Sequence, residues 1–213
     1  LMLGTPNGGS YEIIRLLTGY SSTLRQLALL DFTRSWKELL EIIVDFPGVL
    51  ELLPIEDDYR FFSEENWTTL KDGDDTMREY DVELPRAKRL IDARRTWETI
   101  LSTPFEPDRV LYVAGQARQT PISWCVKVES DPEHPGKEHK VLVFEATARG
   151  DGKVPWDTGI PQNVKTWYLP NVQHGDLPAH EEAFPAYLEL LQNGTTMRLA
   201  TVSPAGIRAA ALE

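Results

Sequence analysis

The sequence predicts an α/β protein: a mostly parallel sheet with helices around it, interrupted by a helical insertion. Two observations carry this expectation. Short apolar stretches, most of them closed by glycine or proline, recur at residues 1–4, 109–115, 122–128, 140–146 and 164–169, as buried strands do. Between some of them the apolar residues return every three or four positions, the period of a helix packed on one face. Strands that alternate with helices in this way favour a sheet with parallel strands.

The elements follow in order. Residues 1–10 read as a strand end and a glycine-rich turn, Gly4-Thr5-Pro6-Asn7-Gly8-Gly9-Ser10. The turn is no phosphate loop, because the Gly-Lys-Ser/Thr ending is missing. Residues 11–53 have a helical pattern, clearest at Trp36, Leu39, Leu40, Ile43 and Val44. Ser35 and Glu38 form a capping box there, and Pro47-Gly48 is expected to end that helix. Residues 55–84, rich in Glu56, Asp57, Asp58, Glu64, Glu65, Asp72, Asp74 and Asp75, read as a solvated loop with a charged surface. Asp72-Gly73-Asp74-Asp75 lacks the alternating ligand spacing of a calcium loop. A helix is expected from Pro85 to Leu101, with Ala87, Leu90, Ile91, Trp97, Ile100 and Leu101 inward. Residues 109–115 are a buried strand closed by Gly115, and the strands at 122–128 and 140–146 flank a loop at 131–137. The strand at 164–169 stops at Pro170. A last helix is expected over residues 179–192, with Phe184, Tyr187, Leu188 and Leu191 on one face and Gly194 as its C-cap.

Composition excludes several classes. The 213 residues are 41% hydrophobic and 26% charged, with a net charge of −11. Disorder requires far fewer apolar residues. Nucleic-acid binding requires a basic stripe, whereas Arg86, Lys88, Arg89, Arg94 and Arg95 fall in a helical pattern and read as a solvated face. The acidic balance equally disfavours an anionic membrane surface. No apolar run reaches the roughly 18 residues of a membrane span. The lone Cys125 permits no internal disulfide, and with no visible signal peptide the expected compartment is the cytoplasm. The chain opens inside an apolar strand, so its N-terminus reads as cut, and an open strand edge at residues 1–4 invites a dimer. Leu212-Glu213 reads as a cloning scar.

Two stretches carry chemistry. Gly150-Asp151-Gly152-Lys153-Val154-Pro155 follows the strand at 140–146, and His174-Gly175-Asp176-Leu177 follows the strand at 164–169. Reactive side chains of α/β sheets gather past the carboxyl ends of strands. A histidine acting as general base needs a carboxylate on its other ring nitrogen to fix its tautomer. One loop, one strand and a second loop separate Asp151 from His174, so adjacent strands would bring the pair together.

The stretches Leu3-Gly4-Thr5-Pro6-Asn7-Gly8-Gly9-Ser10, Leu52-Leu53-Pro54, Gly150 to Pro155 and His174 to Leu177 occur in one order. That ordered set resembles α/β-hydrolases of the lipase and lecithin:cholesterol acyltransferase-like group. The resemblance implies Asp151 as the triad acid and His174 as the base, with a serine nucleophile earlier in the chain. No Gly-x-Ser-x-Gly elbow is present, and Ser10 lacks the elbow's geometry, so the serine is expected upstream of residue 1. The implied fold is a partial α/β-hydrolase: residues 1–10 and 102–194 as the C-terminal half of the core, 11–101 as a helical lid or cap, and 195–213 as a tail. The implied substrate is a small-molecule or lipid ester, with no cofactor and no metal.

Other readings compete. Cys125 paired with His174 would make a thiol nucleophile, but a mid-strand cysteine reads as inert. His174, Asp176 and His180 offer metal-binding groups at a spacing that matches no tight signature. The tryptophans read as core or cleft residues, and His134 and His139 as polar loop residues. A non-catalytic interaction or regulatory module of a larger protein, retaining a hydrolase scaffold, is the alternative to an enzyme.

Overall fold

The computed structural model describes residues 1–55, 60–103, 105–130, 136 and 138–204. The loop expected at 131–137, with His134, and the end of the tail, with Leu212-Glu213, lie mostly or wholly outside them. So do Glu56, Asp57 and Asp58. The fold is mixed α/β. Strand β1 (Met2–Leu3) is followed by helices α1 (Tyr11–Leu17), α2 (Ser22–Leu30), α3 (Trp36–Ile43), α4 (Pro47–Leu50), α5 (Glu64–Asp72), α6 (Asp75–Glu79) and α7 (Ala87–Ser102). Strands β2 (Leu111–Gly115), β3 (Thr120–Ser130) and β4 (Glu138–Thr147) come next, then α8 (Trp156–Gly159), β5 (Lys165–Leu169) and α9 (Phe184–Asn193).

The described residues fall into two compact units. One comprises 1–10, 105–122 and 145–204; the other comprises 11–103 and the described part of 123–144. The sequence division had kept 102–194 whole, whereas the middle of the β3–β4 excursion clusters with the helices.

The first unit is built on a three-stranded parallel sheet in the order β1-β2-β5. Leu3 pairs with Val113, and Val113 with Trp167. Both faces are covered, as parallel strands require. On one face Val113, Trp167 and Leu169 pack with Leu177, Tyr187 and Leu190. On the other, Tyr112, Ala114 and Trp156 pack with Met2, Ile160 and Tyr168. Strands β3 and β4 pair with each other in a separate two-stranded sheet. The strand before Asp151 is therefore not a member of the parallel sheet.

Helix α9 starts later than expected. Residues 174–179 and 181–183 form two 3-10 turns, and Pro185 sits in the first turn of the α-helix proper. Its buried residues are Ala186, Tyr187 and Leu190, while Phe184, Leu188 and Leu191 are exposed. Proline in a first turn fixes φ without losing a hydrogen bond, which sets the start; the packing of neighbouring elements sets the inward stripe. Gly194 closes the helix with φ 70°.

In the second unit, Ser35 and Glu38 form both bonds of the capping box. Pro47 opens α4 rather than closing α3, which ends at Ile43. The acidic stretch is mostly helical: α5 and α6 fall in it, preceded by a 3-10 turn at Arg60–Phe62. Its acids mask a buried set, Phe61, Phe62, Trp67, Leu70, Met77 and Val82. In α7 the buried residues are Leu90, Ala93 and Trp97, whereas Ile91, Ile100 and Leu101 are exposed. His139 lies on β4, 3.3 Å from the Thr76 hydroxyl. No helix among the described residues is long and apolar enough to cross a membrane.

Candidate active site

Asp151 reaches the end of β2 by a fold in the chain. After β4 the backbone returns to the parallel sheet, where the Ala117 N–H donates to the Gly150 carbonyl at 2.7 Å. Gly150 and Pro155 then bridge across the loop, and the Trp156 N–H donates to the Arg149 carbonyl at 3.0 Å. The Trp156 indole donates to the Gly115 carbonyl at 2.8 Å, fastening the loop to the last residue of β2. The Gly152 N–H donates to the hydroxyl of the fully buried Thr120 at 2.9 Å. Ser10, itself buried, donates its hydroxyl to the Lys153 carbonyl.

The Asp151 side chain is 2% exposed, and a buried carboxylate needs several donors. Its Oδ1 accepts from the N–H groups of Lys153 at 3.0 Å and Val154 at 2.7 Å. Its Oδ2 lies 2.8 Å from His174 Nδ1. The Asp151 carbonyl also accepts from the His174 N–H at 2.8 Å. The two residues, 23 positions apart, are therefore joined through both backbone and side chain.

His174 is set by the other strand. Beyond β5 the chain passes Asn171, with φ 60°, and buries Val172. His174 then opens a 3-10 turn whose inner residue, Leu177, is fully buried. The Tyr187 hydroxyl donates to the Leu177 carbonyl at 2.7 Å and ties the turn to α9. An ionised carboxylate only accepts, so when the imidazole is neutral the proton between the pair sits on Nδ1 and Nε2 is an acceptor. The His174 side chain is 33% exposed, and no described residue bonds its Nε2. The hydroxyl of the buried Tyr112 donates to the Thr5 carbonyl at 2.9 Å. Burial pushes its phenol far above the usual range, and the Asp151 charge adds to the rise.

The structure thus brings together Asp151 and His174 at the carboxyl ends of the adjacent strands β2 and β5. It gathers no third metal-binding group with them: no cluster of three His, Cys, Asp or Glu suited to a metal exists among the described residues. His180 instead lies 4.0 Å from Glu182. Cys125 is a partly buried residue of β3, in the other unit. Thr120, Trp156 and Tyr112 hold the site without having stood out in the sequence. Their contacts join distant segments, and only the Gly-Asp-Gly turn itself had a local signature.

A search against protein-family models found no match, and a search against curated proteins found none either.

Proposed function

We propose that this chain supplies the acid and base of a serine hydrolase of α/β-hydrolase type, acting on carboxylic esters of acyl or lipid character. The supporting observation is the buried Asp151 carboxylate, held by two backbone N–H groups and 2.8 Å from Nδ1 of the partly exposed His174. Asp151 fixes the tautomer and stabilises the imidazolium; His174 Nε2 takes the proton of a serine hydroxyl and returns it to the leaving alcohol. In the second half-reaction the same nitrogen takes a proton from water as the water oxygen bonds to the acyl carbon, and returns it to the serine oxygen as the acyl–serine bond breaks. The serine lies upstream of these residues. The ester class rests on the ordered motifs rather than on the geometry of the pair.

The test is labelling of the full-length protein with a fluorophosphonate, which reacts with activated serines. One serine outside these residues should take the label, and His174→Ala should slow labelling and ester hydrolysis by at least about 1,000-fold. Undiminished hydrolysis in His174→Ala sinks the proposal. These residues hold no Gly-x-Ser-x-Gly elbow, which leaves one second reading, a non-catalytic interaction or regulatory module on the same scaffold. A full-length protein that takes no label and hydrolyses no ester would establish it.

A further inference from the structure

We propose that Gly4 is a positioning residue of the Asp151–His174 pair, which meets in the space its missing side chain leaves. The inference rests on the acid–base reading above. Gly4 is the first residue beyond β1. It is buried, its N–H donates to the Val113 carbonyl at 2.9 Å, and its φ is +58°. A Cβ at this position would stand 2.6 Å from Asp151 Oδ2, 2.7 Å from Leu177 Cδ1 and 3.2 Å from His174 Nδ1. The first two separations are shorter than real Cβ contacts, and the third is tight.

The neighbours differ in their freedom to give way. Asp151 is held by the Lys153 and Val154 N–H groups. Leu177 is fully buried among Val113, Trp167 and Tyr187. His174 alone has solvent on one side. Moving the imidazole relieves only the longest of the three contacts; the shortest is relieved when Asp151 Oδ2 is pushed off its place, and that parts Oδ2 from Nδ1. Gly115, at the end of β2, plays a related part: a Cβ there would stand 3.0 Å from Asp151 Cβ and 2.5 Å from the Val172 carbonyl.

The experiment reads the ring tautomer of His174 by ¹⁵N NMR, with its signals identified by their loss in His174→Ala. In the wild-type chain Nδ1 should carry the proton and Nε2 should not. Gly4→Ala should abolish that preference, as should Asp151→Asn. Gly175→Ala, beside His174 but with nothing within 4 Å of its added Cβ, should keep it. A wild-type tautomer in Gly4→Ala, alongside a changed one in Asp151→Asn, overturns the role of Gly4 and spares the pair. A wild type without the Nδ1–H form overturns both. Should Gly4→Ala fold too poorly for NMR, stability is compared in two backgrounds by denaturant unfolding. Its effect on the unfolding equilibrium should be about tenfold smaller with Asp151→Ala present, as for residues in contact. Equal effects in both backgrounds would mean a purely backbone cost and overturn the proposal.

Discussion

Asp74 is a fully buried carboxylate outside the candidate site. Oδ1 accepts from the Met77 N–H at 2.6 Å, capping α6. Oδ2 accepts from the Tyr20 hydroxyl at 2.6 Å and the Leu142 N–H at 2.7 Å. One side chain thus joins the start of the helical run to α6 and β4. Burial, then the bond to Asp74, pushes the Tyr20 phenol above its usual range. Asp74→Ala should lower stability by about 2–3 kcal/mol, since it removes a cap, strands the buried Leu142 N–H and takes a bond from the half-buried Tyr20 hydroxyl. Tyr20→Phe should cost about 1–2 kcal/mol, the loss of one donor to a buried carboxylate. Equilibrium denaturation of both variants checks these values. The sequence made Asp151 legible because glycines flank it and a strand precedes it. It hid Asp74 among neighbouring acids, where composition favours a solvated surface and only tertiary contacts single out one member. Gly4 was visible as a turn glycine; its closeness to Asp151 and His174 depends on three distant segments.

Among the elements, α3 gives a pH dependence with a defined sign. The Ser35 N–H and hydroxyl hold the Glu38 carboxyl below the usual glutamate range, while the Ser35 hydroxyl accepts from the Glu38 N–H at 3.3 Å. A depressed carboxyl contributes stability above its unfolded-state value, and loses it as pH falls through the lower folded-state value. Ser35→Ala should therefore cost about 1 kcal/mol near neutrality. The difference from wild type should shrink below the ordinary glutamate value of 4.5. Glu38→Gln, which can still form the box, should remove that pH dependence. Thermal melts at neutral and acid pH decide the matter. The box was readable because it is local, a pattern within four residues. The inward faces of α7 and α9 were not. Both helices carry more apolar residues than one face can hide, and packing leaves Ile100, Leu101, Leu188 and Leu191 outside. Periodicity states that a face exists, and only the neighbouring elements decide which residues occupy it.

At the scale of the whole molecule, the excess of acids dominates: 33 Asp and Glu against 22 Lys and Arg. Like charges repel across a compact surface, and salt screens them over about 30 Å at 0.01 M but only about 8 Å at 0.15 M. Raising sodium chloride across that range should raise the melting temperature; a falling one would show that paired charges outweigh the repulsion. Long-range closure is the other global feature. Tyr112 bonds Thr5 across 107 positions, and Asn7 Nδ2 donates to the Gly159 carbonyl at 2.7 Å across 152. The α/β class was legible from strand and helix periods. The grouping of the described part of 123–144 with the helices was not, because β3 and β4 look like any other strands until their pairing is known.

The bond from Ala117 to the Gly150 carbonyl closes the neck of the β3–β4 excursion beside the candidate site. Thr120 adds a second tie to Gly152 just inside that neck. A segment sealed at its base can lengthen, shorten or change its tip while the residues at its root keep their places. Asp151 is thus delivered to the end of β2 by the root of the excursion, through Ala117 and Thr120.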